Sequence, residues 1–517
     1  MTEKNMSRRK FVSSMAGAAV GVTIVPRHVL GGPGYRAPSD TVNLAVIGAG
    51  AQGMSNINGP VQAGHNLVAI ADIDFEYVRQ QLQGRRTNNN GEPNEQGEKL
   101  YQAYSNANWY TDFREMLERE RTNIDGVIIA TPDHGHAVQA NAAMQLGLNV
   151  YVQKPLTWSV YEARVLADTA RRTGVVTQMG NQGHSSSGTR RIREWIQAGV
   201  IGPVSEVYVW TNRPLWPQGI PRPTTQRLVS ATQWPTYNTG GGGGGGGGSV
   251  DATFGNVRNV QQPLAAAMAA NMGPPPEGLA WDIFLGPAPE VPYHPIYHPF
   301  NWRGWVDYGQ GSLGDMGAHL IDQPFWALDL GLPTAIEATS TPFGMDIDNT
   351  PASWPQAVRV HYHFVARGEN MPAVDMHWYD GGLMPPRPPF IPDDVTLIRG
   401  GGGVFVGTRG VIMYETYGNN PVIYPESLRS EADAVPETIR RIPDHIANWT
   451  DAIQGLAEPS SDFSYAARLT ETMALGMVAL RVGQGRKILY DAQNMSITNV
   501  PEANHLLHRE YRSGWSL

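Results

Sequence analysis

Asp315 and His319 stand four residues apart in the run Gly309–Asp322, GQGSLGDMGAHLID. On a helix this spacing puts both side chains on one face, and Asp322 continues that face. Imidazole titrates near neutrality, so a histidine beside a carboxylate suits removal of a proton from a hydroxyl. Alone, the same pattern also describes an ordinary surface pair. A second chemistry is written in Gly48-Ala49-Gly50-Ala51-Gln52-Gly53. The first glycine permits a tight turn, the second lets a pyrophosphate approach the backbone, and the third lets helix and strand pack closely. The helix that follows would present its positive end to the phosphates. Asp72, nineteen residues after Gly53, ends the next apolar run. A carboxylate there accepts from both ribose hydroxyls and repels a 2′-phosphate, which favours NAD over NADP.

These residues need a scaffold, and the sequence describes one. VNLAVIG, NLVAIADID, Ile124–Thr131, Leu148–Pro155 and Val175–Gly180 read as short buried strands. Helical stretches such as Ala137–Leu146 and Ser159–Arg172 lie between them. Strands alternating with helices predict a parallel sheet covered on both faces, over about 41–180. Lys154-Pro155 then falls at a strand end, at the mouth where such sheets bind ligands, and Asn181, Gln182 and His184 follow the last parallel strand. From 181 to 517 the pattern changes. Val204–Trp210, Ala357–Phe364 and Pro372–Tyr379 alternate in the strand period and predict an α+β domain with an open, mostly antiparallel sheet. A Gly/Pro-rich insertion occupies about 213–300, with glycines from 240 to 248 that cannot form a packed element. Asp444–Gly455 and Tyr465–Val482 read as amphipathic helices.

The 517 residues carry a net charge of −8. Residues 1–36 hold six Lys/Arg and one Glu, so their removal takes −8 to −13. That acidity argues against nucleic acid or an anionic membrane as partner. There is no cysteine, which excludes disulfides and thiolate chemistry. Ser7-Arg8-Arg9-Lys10-Phe11-Val12 precedes a mild apolar run to Val25, too short for a stable membrane span. It resembles a twin-arginine export signal and implies a periplasmic or otherwise exported protein handled by the twin-arginine machinery; an uncleaved anchor or a basic tail is the alternative. His361 with His363, and His294 with His298, lack an acidic partner at ligand spacing, so no metal is expected.

Taken together, Gly48–Gly53, Thr131-Pro132 with His136, Lys154-Pro155, Trp302-Arg303 and Gly309–Asp322 resemble the Gfo/Idh/MocA oxidoreductases, the family of glucose–fructose oxidoreductase and inositol dehydrogenase. The leader and the Gly180–Ser185 loop resemble its exported branch. The resemblance implies a Rossmann domain followed by an α+β domain, and hydride transfer between NAD and a sugar, cyclitol or glycoside hydroxyl. It implies that Lys154 touches nicotinamide ribose and substrate, that His319 takes the hydroxyl proton and that Asp315 orients the site. Thr131 and Pro132 would lie along the cofactor with His136 behind them, and Trp302 and Arg303 on the cofactor side. Asn181, Gln182 and His184 are candidate substrate contacts. Where relatives carry Glu before the lysine, this chain has Gln153, which removes a charge beside Lys154. The family also implies a homo-oligomer, dimer or tetramer. Because nicotinamide cofactors are scarce outside the cell, an exported member is expected to hold its cofactor tightly. Some relatives oxidise a glycoside transiently and achieve net hydrolysis, which is the alternative activity; a non-catalytic NAD-binding protein is the weaker third.

Overall fold

The first apolar runs form strands because they are short, β-branched and bounded by turns. β1 (Asn43–Ile47) feeds the glycine turn and helix α1 (Ala51–Gln62). Then come β2 (Asn66–Ala71), α2 (Phe75–Arg85), α3 (Glu95–Asn106), β3 (Asn108–Tyr110) and α4 (Phe113–Glu120). β4 (Gly126–Ile129), α5 (Asp133–Gln145), β5 (Asn149–Val152), α6 (Val160–Thr173) and β6 (Thr177–Met179) complete the set. α6 shows how the sequence fixes its ends. Ser159 and Glu162 form a reciprocal capping box, and Gly174 closes the helix at φ +69°. The sheet order is β3-β2-β1-β4-β5-β6, all pairs parallel. Chain direction across the sheet reverses between β1 and β4, which opens a crevice at the strands' carboxyl ends.

This computed structural model describes residues 40–223, 273–369 and 371–517. The leader, the glycine run and most of the expected insertion fall outside the described residues.

After β6 the chain runs through α7 (Ser187–Gln197) and β7 (Val204–Thr211), and later through α8 (Gly311–Leu320) and α9 (Asp322–Ala327). The second sheet adds β8 (Ala335–Ser340), β11 (Val358–Phe364), β12 (Val374–Tyr379), β13 (Gly401–Gly407), β14 (Val411–Glu415) and β15 (Val422–Tyr424). β9 (Gly344–Met345) and β10 (Pro351–Ser353) form a separate ribbon. Helices α10 (His445–Ile453) and α11 (Phe463–Val482) precede β16 (Ile488–Asp491) and β17 (Ser496–Ile497). The nine-strand order is β15-β14-β13-β7-β12-β11-β8-β16-β17, antiparallel except between β7 and β12. Along β11, Val358, Val360, Tyr362 and Phe364 are buried while Arg359, His361 and His363 point outward. This one-sided pattern is what the period of two requires.

Two elements behave differently from their sequence pattern. α11 is buried on nearly every side rather than amphipathic, because it lies between α6, α8 and β8. Arg164 ties it to α6 by donating to the buried Glu471 at 2.9 Å. α10 leaves its sequence neighbours and closes the first domain. Its Trp449 is fully buried with Leu44, Val46, Met54 and Ile57 in that domain's core. Truncating a tryptophan so placed costs about 3–5 kcal/mol. No helix among the described residues is long and apolar enough to cross a membrane.

Candidate active site

The glycine turn is built for close approach. Gly48 sits at φ +78°, and a Cβ there would lie 2.8 Å from the Ala130 carbonyl carbon. A Cβ on Gly53 would lie 2.0 Å from the Gly48 oxygen, and one on Gly50 would lie 2.8 Å from the Tyr77 ring. α1 opens without a side-chain cap and without an acidic residue in its first turn, so its N–H groups stay available to an anion. Asp72 ends β2 and accepts from the backbone N–H of Ala49 (2.7 Å), Gly50 (3.2 Å) and Asp74 (2.9 Å). Burial pushes its carboxyl up, and those donors oppose the shift. Gly48, Gly50, Ala51, Gln52, Asp72, Thr131 and Pro132 line one wall of a cleft of about 600 Å³. Trp302 and Arg303 face them, with Gly53 beneath the turn. Arg303 stacks on Trp302 at 4.2 Å and on Phe300 at 4.6 Å. A turn that a Cβ would fill, an uncapped helix start and a carboxylate at the next strand end together fit a dinucleotide.

A largely buried charged cluster adjoins this cleft. Lys154 Nζ donates to Asp315 Oδ1 at 2.7 Å and to the Asp315 main-chain oxygen at 2.8 Å. Arg303 reaches the same carboxylate at 3.4 Å and Arg213 at 3.8 Å. Burial pushes the Asp315 carboxyl up, but Lys154, Arg303 and Arg213 overcome it and hold the group well below the usual carboxylate range. One turn along α8, His319 is buried, and burial together with the Lys154 charge pushes its imidazole well below its ordinary value. His319 is therefore neutral at physiological pH. Its Nδ1 is buried without a partner among the described residues, which leaves Nε2 as the nitrogen able to meet a ligand. The glycines of α8 bring this helix close to α11: a Cβ on Gly317 would lie 3.0 Å from Met473.

Other residues singled out in the sequence sit behind the cleft. His136 bridges the loops after β4 and β5, its ring nitrogens 2.8 Å from the Thr131 oxygen and 2.7 Å from the Pro155 oxygen; burial pushes it down to about 4. Gln153 donates to Asn56 Oδ1 at 2.9 Å and so ties β5 to α1. Ile321 keeps helical dihedrals (φ −79°, ψ −23°) between α8 and α9, so the helical path carries on to Asp322, which accepts from His184 Nδ1 (2.9 Å), Asn181 Nδ2 (3.2 Å) and Tyr465 Oη (2.6 Å). Asn181 and His184 are buried in that network, so neither forms part of the cleft wall. Gln182 lines a neighbouring groove that also includes Gln52. His361 and His363 both bind Asp375, and His298 binds Asp74.

Three residues of the cluster escaped the sequence reading. Asp133 starts α5, accepts from the Gln310 N–H at 3.0 Å and is pushed up to about 7 by burial, against the pull of Arg303 and Lys154. Arg213 follows β7, and Tyr417 lies edge-on to His319 with ring centroids 4.7 Å apart. Neither carries a local sequence signal.

A parallel sheet in this strand order, with a phosphate turn at the reversal point and a mostly antiparallel second domain, defines a two-domain dinucleotide-binding protein. Residues 42–181 match the model of an oxidoreductase family described by its NAD-binding Rossmann fold, and residues 265–363 match the same family's C-terminal alpha/beta domain. Both matched segments are those of the Gfo/Idh/MocA oxidoreductase family. It is 30% identical over 126 residues to D-glucoside 3-dehydrogenase of Escherichia coli, an alignment covering 24% of this chain and 34% of that protein. It is 28% identical over 183 residues to a glycosyl hydrolase family 109 protein of Shewanella pealeana, covering 32% and 38%. The chain thus spans little more than a third of the length of these curated relatives. The crystal structure of the WlbA dehydrogenase from Chromobacterium violaceum shares the fold, with a TM-score of 0.53, 13% identity and coverage of 88% of this chain and 97% of that one.

Proposed function

We propose that this protein oxidises a secondary hydroxyl of a sugar, cyclitol or glycoside, using a tightly held NAD. The observation that carries the reading is the largely buried Lys154–Asp315 pair, set one helical turn from a neutral His319 and joined to the nucleotide cleft through Arg303. Bound NAD supplies the hydride acceptor. Gly48–Gly53 and the start of α1 would hold its pyrophosphate, and Asp72 its adenosine ribose. His319 Nε2 takes the hydroxyl proton. An ammonium has three N–H donors, and Asp315 occupies two of those on Lys154. The third remains to donate to the substrate oxygen as negative charge grows there. Asp315, itself held by three cations, fixes where that donor points.

The leader Ser7–Val12 supports export of the folded protein through the twin-arginine route. Outside the cell no cofactor pool exists to exchange with, which favours a cofactor reset on the enzyme. Similarity to a family 109 glycosyl hydrolase supports a second reading, in which oxidation is transient, the aglycone is eliminated and the net result is hydrolysis.

One experiment separates these. The protein is purified from the exported fraction, denatured, and assayed for released NAD(H); intact protein is then incubated with glycosides and no added cofactor. Reduction of the retained NAD that stalls until a keto-sugar is added supports the oxidoreductase. Free sugar with no net change in the cofactor supports the hydrolase. If no nicotinamide is released and none binds, both readings are refuted.

A further inference from the structure

The turn Thr416–Gly418, between β14 and β15, holds an aromatic residue where aromatic residues are rarely found. Tyr417 has φ +67° and ψ +15°, the left-handed region that disfavours bulky side chains. Such a conformation persists only where the surroundings impose it. Here they do. The Tyr417 main-chain oxygen accepts from Ser186 Oγ (2.9 Å) and Thr189 Oγ1 (3.3 Å). A Cβ on Gly183 would lie 2.9 Å from the Tyr417 Cα, and one on Gly418 would lie 2.2 Å from Thr189 Oγ1. The turn is therefore pinned to the loop after β6 and to the start of α7. Those contacts are made by the backbone, and an asparagine or glycine would serve them with less strain.

What the tyrosine adds is its side chain. The ring lies edge-on to His319, with centroids 4.7 Å apart at 71°. The phenol lies in the fields of Asp315 and Arg213, and burial together with Asp315 pushes it up, so it stays protonated and able to donate. Tyr417 is 39% exposed, and its hydroxyl binds no described residue. A strained residue, clamped from behind, thus places an apolar ring and a free donor beside the base.

We propose that Tyr417 contacts the substrate, its ring packing against the apolar face of a sugar ring and its hydroxyl donating to a sugar oxygen. The assignment rests on the sugar-directed function above. It makes Tyr417 a specificity residue at the site of His319, one that selects ring-shaped polyols over extended hydroxy acids.

The test follows steady-state turnover of glycosides with a keto-sugar present to reoxidise the retained cofactor, in wild type, Tyr417→Phe and Tyr417→Asn, with thermal midpoints measured alongside. Loss of one neutral hydrogen bond should raise KM about 3–10-fold in Tyr417→Phe while kcat stays within about twofold. Tyr417→Asn keeps the left-handed turn, removes the ring and should raise KM by more than about tenfold, with its midpoint within about 2 °C of wild type. Wild-type KM in either variant overturns the assignment, as does a KM rise accompanied by a midpoint loss beyond that range; the function itself then stands, because the wild type turns over. If wild type reduces no NAD with any glycoside, the proposed function fails and this assignment falls with it.

Discussion

Removing the charge of Asp315 should hurt the protein more than removing the charge of Lys154, although the two are partners. Asp315 is the carboxylate that Lys154 (2.7 Å), Arg303 (3.4 Å) and Arg213 (3.8 Å) share. Asp315→Asn leaves three cations facing one another in a buried site. Breaking a buried pair from one side costs about 3–5 kcal/mol, because the remaining charge is left uncompensated. Lys154→Met leaves Asp315 with both arginines, so its cost should be nearer 1–2 kcal/mol, a fraction of that range. With an unfolding entropy of about 2.1 cal/mol/K per residue over roughly 430 described residues, one degree of midpoint corresponds to about 0.9 kcal/mol. The expected falls are about 3–6 °C for Asp315→Asn and about 1–2 °C for Lys154→Met, by scanning fluorimetry at pH 7. That pH is chosen from the sign of the shift. The folded carboxyl is depressed, so its stabilisation is complete above the unfolded value and is lost only as pH falls through the folded one. Turnover should order the variants differently, with Lys154→Met losing about 10²–10³ in kcat along with the donor to the substrate oxygen. Equal midpoints, or a larger fall in Lys154→Met, would refute the shared-carboxylate reasoning.

His319→Ala should lower turnover by about 10²–10⁴ while the purified protein still releases its NAD on denaturation; an unchanged rate removes His319 from the role of base. Asp133, pushed up to about 7 by burial, stabilises the fold fully below its unfolded value, and that contribution is lost as pH rises through 7. The thermal midpoint should therefore decline between about pH 4 and pH 7 and flatten above, and Asp133→Asn should shrink that decline; a variant profile parallel to wild type would count against it.

The scaffold was legible because its signals are local. Short apolar runs, a glycine turn and an acid nineteen residues later identify β1, α1 and β2 within a single stretch of chain. The alternation in Val358–Phe364 likewise names the buried face of its strand. The site was legible only in part, because its contacts are not local. Lys154 and Asp315 are 161 residues apart, and only the resemblance to a family linked them before the structure did. Helical periodicity places Asp322 relative to Asp315 and His319, but its partners His184, Asn181 and Tyr465 lie 138, 141 and 143 residues away in the chain, where periodicity says nothing. Tyr417 was invisible because a left-handed φ is a property of the clamp around it, not of its own residue type.

The place of Trp449 sets a timetable for synthesis. The core beneath the glycine turn includes a side chain made about 270 residues after β6, the last strand of its sheet. At about 5–20 residues per second, the ribosome leaves that core unfinished for roughly 15–50 s. During that interval the growing chain shows the apolar flank of α1 and β4 that Trp449 will cover, a Gly126 Cβ position lying only 3.1 Å from its ring. The first domain therefore cannot complete its core until α10 has been made. A nucleotide offered to it early would find an incomplete seat, so loading belongs after the last helices have emerged.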